Sequence, residues 1–262
     1  MLDISREKIL EETRDNGYFI RRNVEMSRQD FLNFCNHVGT PWTKEIHAIH
    51  KEGWEEDEIV HWSNQSNFKG VSIPWHADNP YHPDYKFPMR ILYGSSIPHP
   101  DKDTIYFLNT TKWFEDQDED TKQRFRNLQV LTQDYKGGWQ PFWSSLIKKH
   151  PMTNKENFFW GAMALQSDVF GVTADEGLRF PHFSYTMAIQ KENRELISHE
   201  EISSWFESMM NDNYLFKHNW NQNDVIIIDN WIGLHYVPNN SYKEKRLLWR
   251  KTILQPWQKI IG

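Results

Sequence analysis

The sequence predicts a mainly β fold with flanking helices, and three observations predict it. Short strands bounded by Pro, Gly or Asp recur at Val71–Trp75, Arg90–Ser96 and Thr104–Leu108, the spacing of an antiparallel barrel or sandwich. The stretch Asp224–Asp229 has Val-Ile-Ile-Ile at its centre; so apolar a run fits a strand covered on both faces, although periodicity alone also admits a buried helix segment. Helical patterns, finally, are confined to the N-terminal region and to two insertions between strands.

Taken in order, Ser5–Arg14 reads as a helix, Tyr18–Arg22 as extended, and Ser27–Val38 as a helix with Ser27 at its N-cap and Gly39 as its stop. Residues 44–70 are polar and irregular, with an acidic run at Glu55–Glu58 and an Asn/Ser-rich stretch at Ser63–Asn67. They read as a loop or lid over a pocket mouth, where specificity would lie. Asn109–Asn127 reads as helical, divisible into two short helices, because its acidic first half and basic second half complement the helix dipole. That charge run reads as a solvated face. A further helix is expected at His199–Asn211, between strands at Met187–Ile189 and Tyr214–His218, and Arg246–Leu254 closes the chain as a strand. With no internal repeat and no dividing linker, residues 1–262 read as one domain.

Composition narrows the function classes. Thirteen Trp, sixteen Phe and ten Tyr supply a large core, while 25% charged residues describe a polar surface. A net charge of -6 with scattered Lys and Arg gives no footprint for nucleic acid. No apolar run reaches the roughly 18 residues that span a bilayer, so no membrane partner is expected. One cysteine cannot form an internal disulfide, and the N-terminal residues lack the apolar core of a signal peptide. A cytoplasmic setting follows as an expectation, with Cys35 a small core residue, a small molecule as partner, and a homo-oligomer compatible with all of this.

Chemistry concentrates at His76-Ala77-Asp78, His235, Arg246 and Arg250. Residues i and i+2 of a strand point to one side, so His76 and Asp78 can share a metal ion, with a third ligand arriving from elsewhere in the chain. Two imidazoles and one carboxylate on a single face of an octahedron leave three positions open, the arrangement that suits non-haem iron(II) and O2. His82 and His99 are rival ligands, but their turn-like surroundings place them at the surface or rim. Tyr81, Trp62 and Trp231 could wall a pocket, yet in so aromatic a chain ordinary core packing is the stronger reading of them.

These residues carry a family resemblance. The order His37-Val38-Gly39-Thr40-Pro41, Trp75-His76-Ala77-Asp78, Asp103-Thr104, His150-Pro151-Met152-Thr153, Ile228-Asp229-Asn230, His235 and the paired arginines resembles the taurine dioxygenase-like (TauD/TfdA) family. The resemblance implies a double-stranded β-helix, a jelly-roll or cupin-like core with flanking helices, and an iron(II)- and 2-oxoglutarate-dependent dioxygenase. It implies His76, Asp78 and His235 as the Fe(2+) ligands. It implies Arg246, eleven residues beyond His235, as the grip on the distal carboxylate of 2-oxoglutarate, and Thr104, twenty-eight residues beyond His76, as its hydroxyl support. An arginine fork suits that task because it makes two parallel charge-assisted hydrogen bonds. Arg250, four residues further on, would meet the substrate or brace the co-substrate.

The reaction so implied converts 2-oxoglutarate to succinate and carbon dioxide while oxidising a second, small molecule, by hydroxylation as the default; Arg250 hints at an anionic group on that molecule. Because Asp78 is a carboxylate, halogenation is not expected. Asp229-Asn230, His150 and Thr153 are expected to be architectural, bracing the turn that aims His235. Two other classes compete: a cupin-like metal enzyme that uses no 2-oxoglutarate, and a non-catalytic binding barrel. Neither calls for an arginine at the position of Arg246.

Overall fold

The computed structural model describes residues 4–41, 59–63, 72–77, 89–134, 142–158, 162–163, 184–238 and 243–253. Helix α1 (Arg6–Asn16) starts at Ser5, whose hydroxyl accepts from the Lys8 N–H, and ends at Gly17 in the left-handed region, φ 86°. Strand β1 (Tyr18–Arg21) leads to α2 (Arg28–Val38), which opens with a full capping box between Ser27 and Asp30. Phe31, Leu32, Phe34, Cys35 and Val38 form the buried face of α2, so Cys35 sits in the core as its size suggests.

A five-stranded sheet contains β1, β2 (Val60–Ser63), β4 (Met89–Ser96), β13 (Val225–Asp229) and β15 (Leu247–Ile253), in the order β1-β13-β4-β15-β2. A four-stranded sheet contains β3 (Ile73–His76), β5 (Thr104–Leu108), β12 (Leu215–Asn219) and β14 (Leu234–Val237), in the order β12-β5-β14-β3. All pairings within both sheets are antiparallel. The two sheets face each other across Leu92, Ile105, Phe107, Ile226, Ile228 and Leu248, which makes the jelly-roll interior.

Alternation then sorts every strand into an inner and an outer side. On the outer side of the five-stranded sheet, Met89, Ile91, Ile227 and Ile253 pack on α1 and α2. On the outer side of the four-stranded sheet, Trp75, Leu108 and Leu234 pack with α3 (Thr110–Glu115), α4 (Glu119–Arg126) and α5 (His199–Met209). Against the same cluster lies a second four-stranded sheet of β6 (Gln129–Asp134), β7 (Phe142–Ser145), β10 (Ala162–Met163) and β11 (Ser184–Gln190). A hairpin of β8 (Ile147–Lys149) and β9 (Glu156–Phe158) adjoins it.

Two expectations shift. The stretch 44–70 is not wholly irregular, because Val60–Ser63 pairs with β15 as an edge strand. The expected strand Val71–Trp75 is observed at Ile73–His76, so β3 ends on His76. The charged segment 109–127 divides into α3 and α4 as its charges suggested. Its ions pair along the surface, Arg126 with Glu119 and Glu156, and Lys155 with Glu115.

Candidate metal centre

His76 and His235 stand directly opposite each other on the antiparallel pair β3 and β14. Both are buried, and their ring centroids lie 4.1 Å apart at an interplanar angle of 46°. His235 is also the cross-strand partner of Phe107 of β5, a residue of the inner cluster. Cross-strand partners share a face, so both imidazoles look into the space between the sheets. Two imidazolium ions this close would repel; two neutral rings with nitrogens turned to one cation are a stable use of the same geometry. The donor chemistry therefore fits a bound divalent metal. Among the described residues no group of three or more His, Cys, Asp or Glu gathers as a ready ligand set. Asp78, Tyr81 and His82 lie outside the described residues.

The local sequence explains why His235 arrives where it does. A side chain at Gly233 would put a Cβ 2.0 Å from the Leu108 carbonyl oxygen, so only glycine lets β14 close on β5 two residues before the histidine. Upstream, Asp229 accepts from the Trp231 N–H at 2.8 Å and contacts His150 Nε2 at 3.0 Å. His150 Nδ1 accepts from the N–H groups of Met152 and Thr153, both at 3.1 Å. Nδ1 being an acceptor, the ring proton is assigned to Nε2, which donates to Asp229. The turn His150-Pro151-Met152-Thr153 and the corner Asp229-Asn230 are thus tied together just ahead of His235.

Arg246 precedes β15 and is buried, and its Nε lies 2.5 Å from Oδ2 of Asp103, which is also buried. Leu248 belongs to the inner cluster, so Arg250, two residues on, also takes the inner side; it is half-buried. Arg90, the β4 partner of Thr252, is buried and hydrogen-bonds the Thr252 hydroxyl. Three arginines therefore line the inner side of one sheet. Thr104 is placed differently. Its hydroxyl donates to Asn219 Oδ1 at 3.1 Å, and strand alternation sets it with Tyr106 and Leu108, opposite to Phe107 and His235. The side chain of this corner that meets Arg246 is that of Asp103.

Nearby, Asp224 contacts His218 Nε2 at 3.2 Å and accepts from Arg22 at 2.7 Å. Burial pushes the Asp224 carboxyl up, but the hydrogen bonds from His218 and the Asn221 N–H, together with the Arg22 charge, outweigh it and hold the pKa below the usual value. His99, the rival ligand, is instead at the rim, 2.9 Å from Glu244.

The family profile described as "Taurine catabolism dioxygenase TauD, TfdA family" matches residues 2–252. The chain belongs to this family. It is accordingly an iron(II)- and 2-oxoglutarate-dependent dioxygenase. No curated protein matches it in sequence. Among solved structures it is similar to a taurine dioxygenase from Burkholderia xenovorans, with 16% identity and a TM-score of 0.65 over 96% of this chain and 81% of that one. AAD-2, solved with Mn(II) and N-oxalylglycine, shares 13% identity at a TM-score of 0.66, over 95% of this chain and 86% of that one. PvcB from Pseudomonas aeruginosa shares 14% identity at a TM-score of 0.66, over 96% and 80% respectively. At these identities the likeness is one of fold. For the TauD/TfdA chain described here, no helix among the described residues is long and apolar enough to cross a membrane.

Reading the sequence alone missed two interior features, the Asp103–Arg246 pair and the Arg90–Thr252 contact. The first had a signal: an acid stands immediately before Thr104 and a basic residue opens the last strand. The second had none, because Arg90 reads locally as the polar start of a strand.

Proposed function

We propose that His76, Asp78 and His235 hold iron(II) and that Arg246 anchors the distal carboxylate of 2-oxoglutarate; Thr104, whose hydroxyl donates to Asn219 on the other side of β5, is left out of that grip. The substrate is a small anionic molecule, and hydroxylation is the default outcome. The observation that carries this reading is the buried cross-strand meeting of His76 and His235 on the inner face of the four-stranded sheet, with Arg246 buried just ahead of β15 in the other sheet. Asp78, two residues beyond His76, is the carboxylate the set needs. Arg250, further along the inner face of β15 than Arg246, meets the substrate's anionic group or braces the co-substrate. The chain acts as one domain, in the cytoplasm, without nucleic acid or membrane as partner.

Bound iron(II) and 2-oxoglutarate supply the oxidising chemistry, with succinate and carbon dioxide as co-products. The protein's part is to hold and orient. The imidazoles fix two positions on the metal, the fork of Arg246 sets the direction of the 2-oxo acid, and the two sheets exclude water.

The test is an anaerobic titration of the metal-free protein with iron(II) and then 2-oxoglutarate, following the weak visible charge-transfer band of the chelate. The band should appear in the wild type and be lost in Asp78→Ala with the fold intact. Iron binding without a band would favour a metal enzyme that does not use 2-oxoglutarate, and unchanged succinate release by Asp78→Ala would rule out the ligand set.

A further inference from the structure

Register lays two rows of side chains across the four-stranded sheet, one on each face. The inner row is His76, His235, Phe107 and Phe216, each the cross-strand partner of the next. One residue out of step, on the outer face, run Trp75 of β3, Tyr236 of β14, Tyr106 of β5 and Lys217 of β12. The Trp75 and Tyr236 ring centroids lie 5.5 Å apart, those of Tyr236 and Tyr106 5.8 Å apart, and the Lys217 ammonium stands 5.8 Å from the Tyr106 centroid. Trp75 is buried directly before one histidine of the centre, and Tyr236 directly follows the other. Tyr236 and Tyr106 are half-buried, and Lys217 is exposed on an edge strand. The outer row therefore starts beside the centre and ends in solvent.

The two rows differ in one chemical property. Among ring side chains, tryptophan and tyrosine give up an electron most readily, tyrosine with loss of its phenolic proton, whereas phenylalanine and histidine resist it. Phenylalanine would fill the outer face with the same apolar ring. Decarboxylation of 2-oxoglutarate uses two of the four oxidising equivalents of dioxygen, and the other two oxidise the substrate when one is bound. Without a substrate they must be met by two electrons and two protons, with water as the product, or be discharged on the protein. We infer that Trp75, Tyr236 and Tyr106 form a conduit that delivers those electrons from an anionic one-electron donor at Lys217, which gives the protein a second, substrate-independent activity as an oxidase of such donors. In each pass Trp75 loses an electron to the centre and is re-reduced by Tyr236, which releases its phenolic proton. Tyr106 then restores Tyr236 in the same way, and the donor restores Tyr106 with a proton from solvent. Two passes consume two donor electrons and two solvent protons for each water formed. This rests on the reading of His76 and His235 as ligands of the iron that works with 2-oxoglutarate.

The test runs the iron(II)-loaded protein with 2-oxoglutarate and air but no substrate. Tyrosyl radical is read by freeze-quench electron paramagnetic resonance, with ring-deuterated tyrosine to identify it, and the sulfonated dye ABTS serves as the anionic donor whose oxidation is followed by colour. The wild type should give the radical and up to two oxidised dye molecules per succinate. Tyr236→Phe, which keeps the ring and removes the hydroxyl, should cut both by about tenfold, with the melting temperature and the anaerobic charge-transfer band unchanged. Lys217→Glu should raise the half-saturating dye concentration by about threefold or more and leave the radical yield without dye as it was. Should Tyr236→Phe fail to fold, Tyr106→Phe breaks the same row one step further out and is expected to lose the dye oxidation. Wild-type dye oxidation in a folded Tyr→Phe variant overturns the inference, as does succinate release by the wild type with neither radical nor oxidised dye. So does a wild type that releases no succinate without substrate, because no surplus equivalents then arise. An unchanged dye dependence in Lys217→Glu overturns the donor site. Absence of the charge-transfer band in the wild type would instead remove the iron and co-substrate reading itself, and the conduit with it.

Discussion

The two sides of the five-stranded sheet solve opposite problems with the same strands. Its outer side buries Met89, Ile91, Ile227 and Ile253 against Phe31, Phe34, Cys35 and Val38 of α2, an all-apolar contact that needs no partner chemistry. Its inner side mixes Leu92, Ile226 and Leu248 with Arg90, Arg246 and Arg250. Apolar burial stabilises at about 25 cal/mol per Å², whereas each buried charge costs free energy until a partner offsets it. One side of the sheet is therefore built for stability, and the other spends some of it on keeping donors in place.

That contrast can be broken by experiment. The largest effect belongs to the outer side: Phe31→Ala, at a fully buried position, should cost about 3 to 5 kcal/mol of unfolding free energy by denaturant titration. Its iron(II) and 2-oxoglutarate affinities should be unchanged, and weakened binding would mean that the two sides are coupled. On the inner side, Arg246→Ala should raise the 2-oxoglutarate requirement by about 2 to 5 kcal/mol, read as the shift in the half-saturating concentration. An unchanged requirement would move the carboxylate to another residue.

A smaller effect is expected at the start of α2. Ser27→Ala removes one side of its capping box and should cost about 1 kcal/mol of stability with no change in ligand affinity. Least in size is the pH dependence of Asp224. Its carboxyl is held below its ordinary value of 3.8 in the folded chain, so its contribution is complete above that value and is lost as pH falls through the folded-state pKa. Asp224→Asn should flatten the acid limb of the melting-temperature profile; an identical limb would exclude Asp224 as its source.

How much of this was legible in the sequence depended on whether the signal was local. Thr104–Leu108 is found with its expected limits because Asp103 and Asn109 punctuate it, and α2 because Ser27, Asp30 and Gly39 mark its ends. Strand β2 went unread within a polar stretch, since an edge strand that borrows its order from β15 has little pattern of its own. The strands Gln129–Asp134 and Phe142–Ser145 mix polar and apolar residues; they pair with each other, and the first also pairs with β11, which no single window displays. The chemistry of His76 and His235 could be named from spacing and resemblance, but that they face each other across two strands is a property of register. The partnership of Asp103 with Arg246 joins residues far apart in the chain, and only the folded corner between β4 and β5 brings it about.

The cross-strand meeting of His76 and His235 also has a topological side. A metal ion gripping both would act as a removable cross-link that closes a loop of about 160 residues, the kind of long closure for which the entropic gain is large in chain-statistics terms. Binding would staple β3, the outermost strand of its sheet, to the interior strand β14. Removing the metal should accordingly be felt first as amide exchange along β3, so that the edge of the sheet reports whether the centre is loaded.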